Sequence, residues 1–385
     1  MIGGGPAGAA TALAIAQRGL SVAVLVKPRG DRPRVGETVP PAIVRPLAQL
    51  GLWNEFLAAQ HAEAPGTMVI WGSERPHEND FIFNPYGPGW HLDRSRFDGM
   101  LLEAARAAGA AIHDTSARDC LRDANGTWQV LLSDLGGDVL SARWLVDATG
   151  RAAWLGRRLG ARRHRMDRLV ALIQFAWVAN ISEPRTMIES CPYGWWYAAA
   201  LPNNVSVAAF FTDADLLPNG APERARLWRR MLAQTRLIAS IYPDSDVGSP
   251  VYTEAAFSGR SLPCAGENWL AVGDASHFYD PLSGQGISKA LLSALRGAET
   301  INLSSGKSAE EFIGADSREY EQYVAGYLAH YRRELRWPQH PFWMRRNVTE
   351  PGRFDSYVKR CAENEVNSRL SHNLPRTDSI LSLLK

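Results

Sequence analysis

Cysteine is scarce in this sequence. The 385 residues include four, which are widely separated: Cys120, Cys191, Cys264 and Cys361. No C-x-x-C pair occurs, and this argues against a structural zinc site or a redox dithiol, so we expect no metal. Such sparse cysteine is typical of a reducing compartment, and we expect a cytoplasmic location.

The chain also lacks a charge excess and a long apolar run. Its 42 basic and 40 acidic residues leave a net charge of +2, which gives no electrostatic argument for binding nucleic acid or a membrane surface. No apolar run approaches the ~18 residues of a membrane-spanning helix. The length of 385 residues and the 45% of apolar residues predict a globular protein of about two domains.

Glycine, by contrast, is concentrated at the start. Residues 3–8 read GGGPAG, a G-x-G-x-x-G pattern, and an alanine-rich helical run and the apolar stretch LSVAVLV follow. Glycines at this spacing allow a tight turn and let backbone N–H groups and a helix N-terminus approach a pyrophosphate. The pattern predicts a β-α-β dinucleotide site that includes Gly3, Gly5, Pro6, Ala7 and Gly8.

Two features of this opening depart from the usual pattern. Only Met1 and Ile2 precede the glycines, so we expect that several residues of the first strand are absent. The second strand is followed by Lys27, where an acidic residue normally holds the adenosine ribose. Either a phosphate partner or a different hold on the adenosine end is consistent with Lys27.

A second glycine-rich stretch, GDASHFYDPLSGQGISKAL at residues 273–291, also precedes a predicted helix. Asp274 ends a predicted strand and can accept hydrogen bonds from ribose or ribitol hydroxyls. Gly284 and Gly286 let backbone N–H groups approach a ligand, and the helix from Ile287 presents a positive end to an anionic edge such as that of a reduced flavin. Two helix N-termini, one for a pyrophosphate and one for an isoalloxazine ring, favour FAD over NAD. No second G-x-G-x-x-G appears, so we expect no dedicated Rossmann site for NAD(P)H.

The middle of the chain predicts a different architecture. The segments QFAWV (174–178) and VSVAAFF (205–211) resemble half-buried strands, with YGWWY (193–197) between them. We expect an antiparallel sheet with aromatic faces, interrupted by a helix over residues 223–235. The segments 67–71 and 81–83 are further predicted strands, and a helix is predicted after Pro41, to about residue 59. The tail from Ala309 is predicted to be mostly helical, with a tyrosine stripe used for packing.

Five motifs together resemble the FAD-dependent monooxygenases of the glutathione-reductase-like fold, and more narrowly the flavin-dependent halogenase branch. They are GGGPAG (3–8), RVGETVPP (34–41), DRSRFD (93–98), DATG (147–150) and the stretch at 273–291. The resemblance implies an α/β fold, with a Rossmann-like FAD-binding domain, an inserted antiparallel-sheet substrate domain and a C-terminal helical region. The implied FAD domain covers residues 1–65, 90–165 and 257–303, the substrate domain 66–89 and 166–256, and the helical region 304–385. Beyond the first glycines, the implied cofactor-binding residues are Arg34, Glu37, Arg94, Gly273, Asp274, Pro281, Gly284, Gln285, Gly286 and Ile287.

Three departures argue against halide chemistry. The halogenases of this branch carry a lysine on the strand after the G-E helix, but here residues 64–73 contain none. The flavin turn has Ser283-Gly284-Gln285 instead of the acid-containing form of tryptophan halogenases, and their W-x-W-x-I-P signature is reduced to WWYAAALP at 195–202. We therefore predict a monooxygenase that passes oxygen from a C4a-hydroperoxyflavin to an electron-rich aromatic ring. The variant signature resembles the flavoproteins that hydroxylate peptidyl tryptophan in tryptophylquinone biogenesis.

The sequence does not identify the catalytic base; the candidate catalytic residues are Glu37, to orient the substrate or the flavin, and His277, as a proton shuttle. Each has an alternative role, Glu37 as a helix cap and His277 as a structural histidine, while Lys289 is expected to be a surface or helix lysine. Candidate substrate-pocket residues are Trp71, Phe175, Trp195, Tyr197 and Phe210. We expect O2 as co-substrate, FAD reduced by an external flavin reductase or directly by NAD(P)H, and an aromatic substrate that is a small molecule, a peptide or a protein. A halogenase and a non-oxygenating flavoprotein reductase remain the alternatives.

Overall fold

The fold is taken from a computed structural model that describes residues 1–28, 30, 33–133, 138–178, 183–242, 249–301 and 308–347. Its helices are α1 (Pro6–Ala16), α2 (Val44–Gln49), α3 (Trp53–Ala58), α4 (Arg94–Ala107), α5 (Trp154–Arg158), α6 (Ala221–Leu232), α7 (Ile238–Ile241), α8 (Gly286–Ile301), α9 (Ala309–Tyr331) and α10 (Pro341–Asn347). Within these described ranges, no helix is both long enough and apolar enough to cross a bilayer.

A parallel sheet surrounds the first glycine turn. Strands β1 (Ala23–Leu25) and β7 (Ala111–His113) pair in parallel, as do β11 (Leu145–Asp147) and β20 (Trp269–Ala271), which also pairs with β19 (Ala265–Gly266). Ile2 joins the two groups through parallel bridges to Leu25 and Asp147. The first strand is thus represented by a single bridging residue, in keeping with the short segment before the glycines.

Three small sheets flank this core. They comprise β2 (Thr38–Val39), β6 (Gly89–His91) and β3 (Ala62–Ala64); β8 (Ala117–Arg122), β9 (Trp128–Leu132) and β10 (Val139–Ala142); and β12 (Arg162–Arg165), β18 (Gly259–Leu262) and β21 (His277–Phe278).

The largest sheet has seven strands in the order β17 (Tyr252–Ala255), β13 (Leu169–Trp177), β16 (Val205–Asp213), β15 (Gly194–Leu201), β14 (Thr186–Cys191), β4 (Gly66–Ile70) and β5 (His77–Asp80). Neighbours are antiparallel except β14 and β4. The strands come from residues 66–80 and 169–255, inside the two segments assigned to a substrate domain. The domain boundaries themselves stay a prediction.

The two faces of this sheet have different roles. One face packs against α6, where Trp196 stacks on Phe210 and contacts Trp228. The other face carries Trp195 and Phe211, which form a core with Tyr331 of α9 and with α10. Because side chains alternate along a strand, adjacent Trp195 and Trp196 are buried in different cores.

Two predictions about secondary structure need correction. The strand predicted at 81–83 is absent, and β5 ends at Asp80, because the backbone N–H of Asn84 donates to the carbonyl of Phe81 and turns the chain. The helix predicted from 41 to about 59 is divided into α2 and α3, with Gly51 at φ +72° between them. The part of the predicted helical tail at 348–385 lies outside the described residues.

Candidate functional site

A cavity of about 870 Å³ lies between the two glycine turns and one face of the seven-stranded sheet. Most of the predicted cofactor-binding residues line it: Gly3, Gly5, Pro6, Ala7, Arg34, Glu37, Arg94, Asp274, Pro281, Gly284, Gly286 and Ile287. The structure thus brings together segments that are far apart in the sequence. Gly8, Gly273 and Gln285 do not line this cavity.

The three glycines of the first turn have different physical roles. Gly3 has φ +108°, and a Cβ there would lie 2.3 Å from the carbonyl oxygen of Ala148. A Cβ on Gly8 would lie 1.9 Å from the carbonyl oxygen of Gly3, so Gly8 serves the packing of α1 against the turn. A Cβ on Gly5 would meet nothing within 4 Å, because this residue faces the cavity at the start of α1. The open space beside a helix N-terminus fits a pyrophosphate.

The second turn presents α8 to the same cavity. The Asp280 side chain accepts a hydrogen bond from the N–H of Leu282 (2.9 Å), and Gly284 adopts φ +60° before α8 begins at Gly286. A Cβ on Gly286 would meet nothing within 4 Å. Gly273 lies behind the cavity, where a Cβ would be 2.7 Å from Cβ of Ala7. Gly273 therefore acts by close packing against the residues of α1.

A buried carboxylate holds two arginines at the cavity wall. Asp98 of α4 accepts from Arg94 at 3.2 Å through Nε and is also paired with Arg34. Arg94 donates to the carbonyl of Gly36 as well (3.1 Å). Lys27 lines the cavity close to the first glycine turn and is exposed. These cations border the region where the resemblance places the phosphates and the ribityl chain.

Asp274 is kept ionised by two cations. Burial alone would raise the pKa of this carboxyl, but Lys289 (2.7 Å) and Arg151 (3.4 Å) lower it below its ordinary value. Of the two expected alternatives for Lys289, a surface or a helix lysine, the helix is correct, since the residue lies in α8. The surface alternative is wrong, since the side chain is only 1% exposed. Lys289 lies there because its ammonium group neutralises a carboxylate at the cavity wall.

His277 is placed away from the cavity. Its side chain is fully buried, and Nδ1 lies 2.8 Å from Oδ1 of Asp316 in α9. His277 is absent from the residues that line the cavity. The structure therefore favours the structural alternative for this histidine over a catalytic one.

Glu37, by contrast, lines the cavity and is 4% exposed. Burial raises the pKa of this carboxyl to about 7, despite the opposing effect of Arg94. Within the described part of the chain, its Oε1 has no hydrogen-bond partner. The next residue, Thr38, shares a hydrogen bond of 2.7 Å with the hydroxyl of Tyr197 on β15. This carboxyl can therefore hold or release a proton near neutral pH, close to Tyr197.

The sheet contributes an apolar and aromatic wall to the same cavity that the flavin turn, residues 280–286, lines. The lining side chains of this wall are Ile173, Ile188, Trp195, Tyr197, Val207 and Phe211. Trp195 stacks on Phe211 with 3.9 Å between ring centroids and 7° between planes. We refer to these six residues as the sheet wall.

Three of the five candidate pocket residues lie elsewhere. Phe210 points to the opposite face, where it stacks on Trp196 at 5.1 Å. Trp71 is buried against the C-terminal helices, and its Nε1 donates to the carbonyl of His330 (3.2 Å). Phe175 lines a separate cavity of about 190 Å³, which shares Arg34, Glu37 and Arg94 with the larger one. The local sequence does not show these placements, because strand order and register decide which face and which neighbours each side chain meets.

A hydrogen-bonded chain that the sequence analysis missed joins the sheet wall to the flavin turn. Nε1 of Trp195 donates to the hydroxyl of Tyr331 (2.9 Å), which donates to Oδ2 of Asp280 (2.7 Å). Burial, followed by the nearby charge of Asp167, raises the pKa of Asp280 to about 7. The tyrosine stripe of α9 does serve packing, as expected, but no local pattern shows that Tyr331 reaches a carboxyl 51 residues away.

Comparison with known proteins agrees with this geometry. Residues 1–209, more than half of the chain, match the family model described as FAD binding domain. The chain belongs to this FAD-binding family. The predicted fold class and the flavoprotein resemblance are thereby confirmed, and the flavoprotein is an FAD-dependent oxidoreductase.

Individual relatives narrow the resemblance. The flavoprotein is 32% identical over 355 residues to the putative FAD-dependent oxidoreductase LodB of Marinomonas mediterranea, covering 90% of this chain and 96% of LodB. The structure of QhpG, described as a peptidyl tryptophan dihydroxylase essential for tryptophylquinone cofactor biogenesis, is similar with a TM-score of 0.75 and 28% identity. That match covers 90% of this chain and 78% of QhpG. The myxobacterial chondrochloren halogenase CndH shares the fold, with a TM-score of 0.79, 24% identity, and coverage of 94% and 89%.

The residues of the cavity fit FAD. Gly5 and Gly286 leave open space at the tips of two helices, and Asp274 offers an ionised carboxylate in the same cavity. Helix tips favour anionic groups, and a carboxylate accepts hydrogen bonds from hydroxyls. FAD is an elongated cofactor with a pyrophosphate, a polyol chain and a ring that becomes anionic on reduction, and these three parts match the two helix tips and the carboxylate.

Proposed function

We propose that this flavoprotein is a monooxygenase that hydroxylates an electron-rich aromatic ring, and that a tryptophan side chain in a peptide or protein is its substrate. The observation that carries the proposal is the sheet wall, which offers stacked aromatic and aliphatic side chains in the same cavity that the flavin turn lines. Such a wall fits a flat aromatic ring. The similarity to QhpG supports tryptophan as that ring.

The positions of the lysines support oxygen transfer over halogenation. Of the lysines in the described ranges, Lys27 lies beside the first glycine turn and Lys289 is buried in its pair with Asp274. Neither belongs to the sheet wall. A halogenating enzyme of this branch needs a lysine on the substrate side, by the resemblance stated above.

Side chains of this chain can then be assigned roles in the proposed reaction. Bound FAD would supply the redox and oxygen-activating chemistry, with O2 as co-substrate and electrons from a flavin reductase or NAD(P)H. Trp195 and Phe211 would stack the substrate ring, with Trp195 fixed in place by Tyr331. Glu37, with its pKa near 7, would accept the proton that the ring loses on hydroxylation.

The experiment is a mass measurement that separates three reactions. Purified protein receives FAD, a flavin reductase with NADH, ¹⁸O2, bromide and N-acetyltryptophan amide. Incorporation of ¹⁸O into the ring supports the proposal, whereas gain of bromine indicates a halogenase. Neither product, together with NADH consumption by this protein and FAD in a parallel reaction without the added flavin reductase, indicates a non-oxygenating reductase. The Gly5→Ala variant, which should keep its fold but bind FAD at least about tenfold more weakly, shows how much of the product depends on bound FAD.

A further inference from the structure

An exposed apolar segment lies at the edge of the cavity. Phe81 lines the cavity, and the two residues after it point into solvent, with Ile82 80% and Phe83 94% exposed. Tyr86, in the same segment, is 41% exposed. Adjacent apolar side chains with this exposure are costly in water and commonly mark a binding surface. Apolar surface therefore continues from inside the cavity to the outside of the protein.

The strand that leads into this segment is a free sheet edge. β5 is the last strand in the sheet order, and all four of its residues are exposed. In the described part of the chain, only β4 pairs with it. The N–H of Phe81 donates to the carbonyl of Pro65 on the β4 side. By the alternation of an antiparallel ladder, the backbone groups of Glu78 and Asp80 then point away from β4.

This edge suits an extended polypeptide better than a lipid surface. A free strand edge accepts another strand through its backbone groups. Residues 76–91 contain no lysine or arginine, whereas segments that bind anionic membranes carry basic residues. The acidic side chains Glu78 and Asp80 lie near Arg185, at 2.6 and 3.7 Å. An inserted membrane loop would have to bring these acids to the lipid surface.

We propose that β5 and the segment after it, residues 77–87, form a docking edge for an extended segment of a polypeptide substrate. The substrate segment adds a strand to β5, covers Ile82 and Phe83, and passes its aromatic side chain over Phe81 into the cavity. The inference rests on the proposed function for the identity of that side chain. It adds the place where the substrate backbone binds and the class of partner.

The test uses a fluorescent synthetic peptide that alternates threonine and valine on both sides of one tryptophan. Binding to the FAD-loaded protein is followed by fluorescence anisotropy, and oxidation of the peptide is followed by mass. The docking variant is Ile82→Ser with Phe83→Ser. The matched control is Leu335→Ser, which removes a leucine that is 68% exposed and lies outside the docking edge. Two further peptides carry backbone N-methyl groups on alternate residues, in either register.

The docking variant should bind the peptide at least about tenfold more weakly, because the substrate segment no longer covers two large apolar side chains; tenfold corresponds to about 1.4 kcal/mol. The control variant should bind like the native protein. One of the two N-methylated peptides should lose binding, because it cannot donate to the β5 backbone. Oxidation of N-acetyltryptophan amide, which has no strand to pair, should be equal in all variants.

Other results would overturn the docking edge. Equal peptide affinity in the docking variant and the native protein would show that Ile82 and Phe83 do not bind the peptide. Equal binding of both N-methylated peptides removes strand pairing. Sedimentation with phosphatidylcholine–phosphatidylserine vesicles that depends on these residues, without peptide binding, would assign the surface to a membrane. Failure of the proposed function is distinct, since the peptide would then bind at the docking edge while neither it nor the amide is oxidised.

Discussion

Two glycines in one turn should respond oppositely to the same added methyl group. Gly5→Ala places the methyl in open cavity, at a φ of −76° that alanine readily adopts. Gly8→Ala places it 1.9 Å from the carbonyl oxygen of Gly3, so these atoms must separate by roughly 1.5 Å to reach ordinary contact. Overpacking of this kind costs about 1–3 kcal/mol.

The melting temperature of the FAD-free protein should therefore distinguish the two variants. Gly8→Ala should melt about 4 °C lower than the native protein. This value assumes a destabilisation of about 2 kcal/mol and a fall in melting temperature of about 2 °C for each kcal/mol in a chain of this size. Gly5→Ala should melt within about 1 °C of the native protein, because a less favourable helix cap is offset by the smaller entropy of the unfolded chain. Its FAD affinity, followed by quenching of flavin fluorescence, should nevertheless fall at least about tenfold, or about 1.4 kcal/mol.

Gly99→Ala is the control for this comparison. Gly99 is an exposed glycine within α4 whose added Cβ would meet nothing within 4 Å, and it lies outside the cavity. It should raise the melting temperature slightly and leave FAD affinity unchanged. The reasoning is refuted if Gly5→Ala binds FAD as tightly as the native protein, or if it unfolds as early as Gly8→Ala.

Three further variants test the buried polar groups. Burial raises the pKa of Glu37 to about 7, so its contribution to stability is full below pH ~4.5 and is lost as the pH rises through 7. The free energy of unfolding of Glu37→Gln, measured in urea, should therefore rise relative to that of the native protein by up to about 3 kcal/mol between pH 5 and pH 8. Tyr331→Phe removes the acceptor for Nε1 of Trp195 and should cost about 1–3 kcal/mol by the same assay, whereas an unchanged midpoint would show that water replaces the hydroxyl. Lys289→Met leaves Asp274 with a weaker partner and should lower the free energy of unfolding by about 3 kcal/mol, and adding Asp274→Asn should restore part of this loss. A further loss of stability in the double variant would contradict the pairing.

The cofactor half of the site could be predicted from sequence because its determinants are local. Gly284 and Asp280 act through backbone conformation and turn capping within a few residues of themselves, and Gly3 adopts a positive φ that glycine allows. Helix tips follow directly after these turns, so the sequence order of turn and helix already indicates where an anion binds. The FAD family and fold follow from these patterns, and the comparisons confirm both.

The substrate half depended on tertiary structure. Strand alternation indicates that Trp195 and Trp196 face opposite ways, but not which of them faces the cavity, because that depends on which face packs against α6. Lys289 and Glu37 are buried only because segments distant in the sequence close over them, and their pKa values and partners depend on that burial. The exposure of Phe83 likewise depends on β5 being the final strand of the sheet. Local sequence specifies turns and caps, whereas side-chain environments are set by long-range packing that no short pattern encodes.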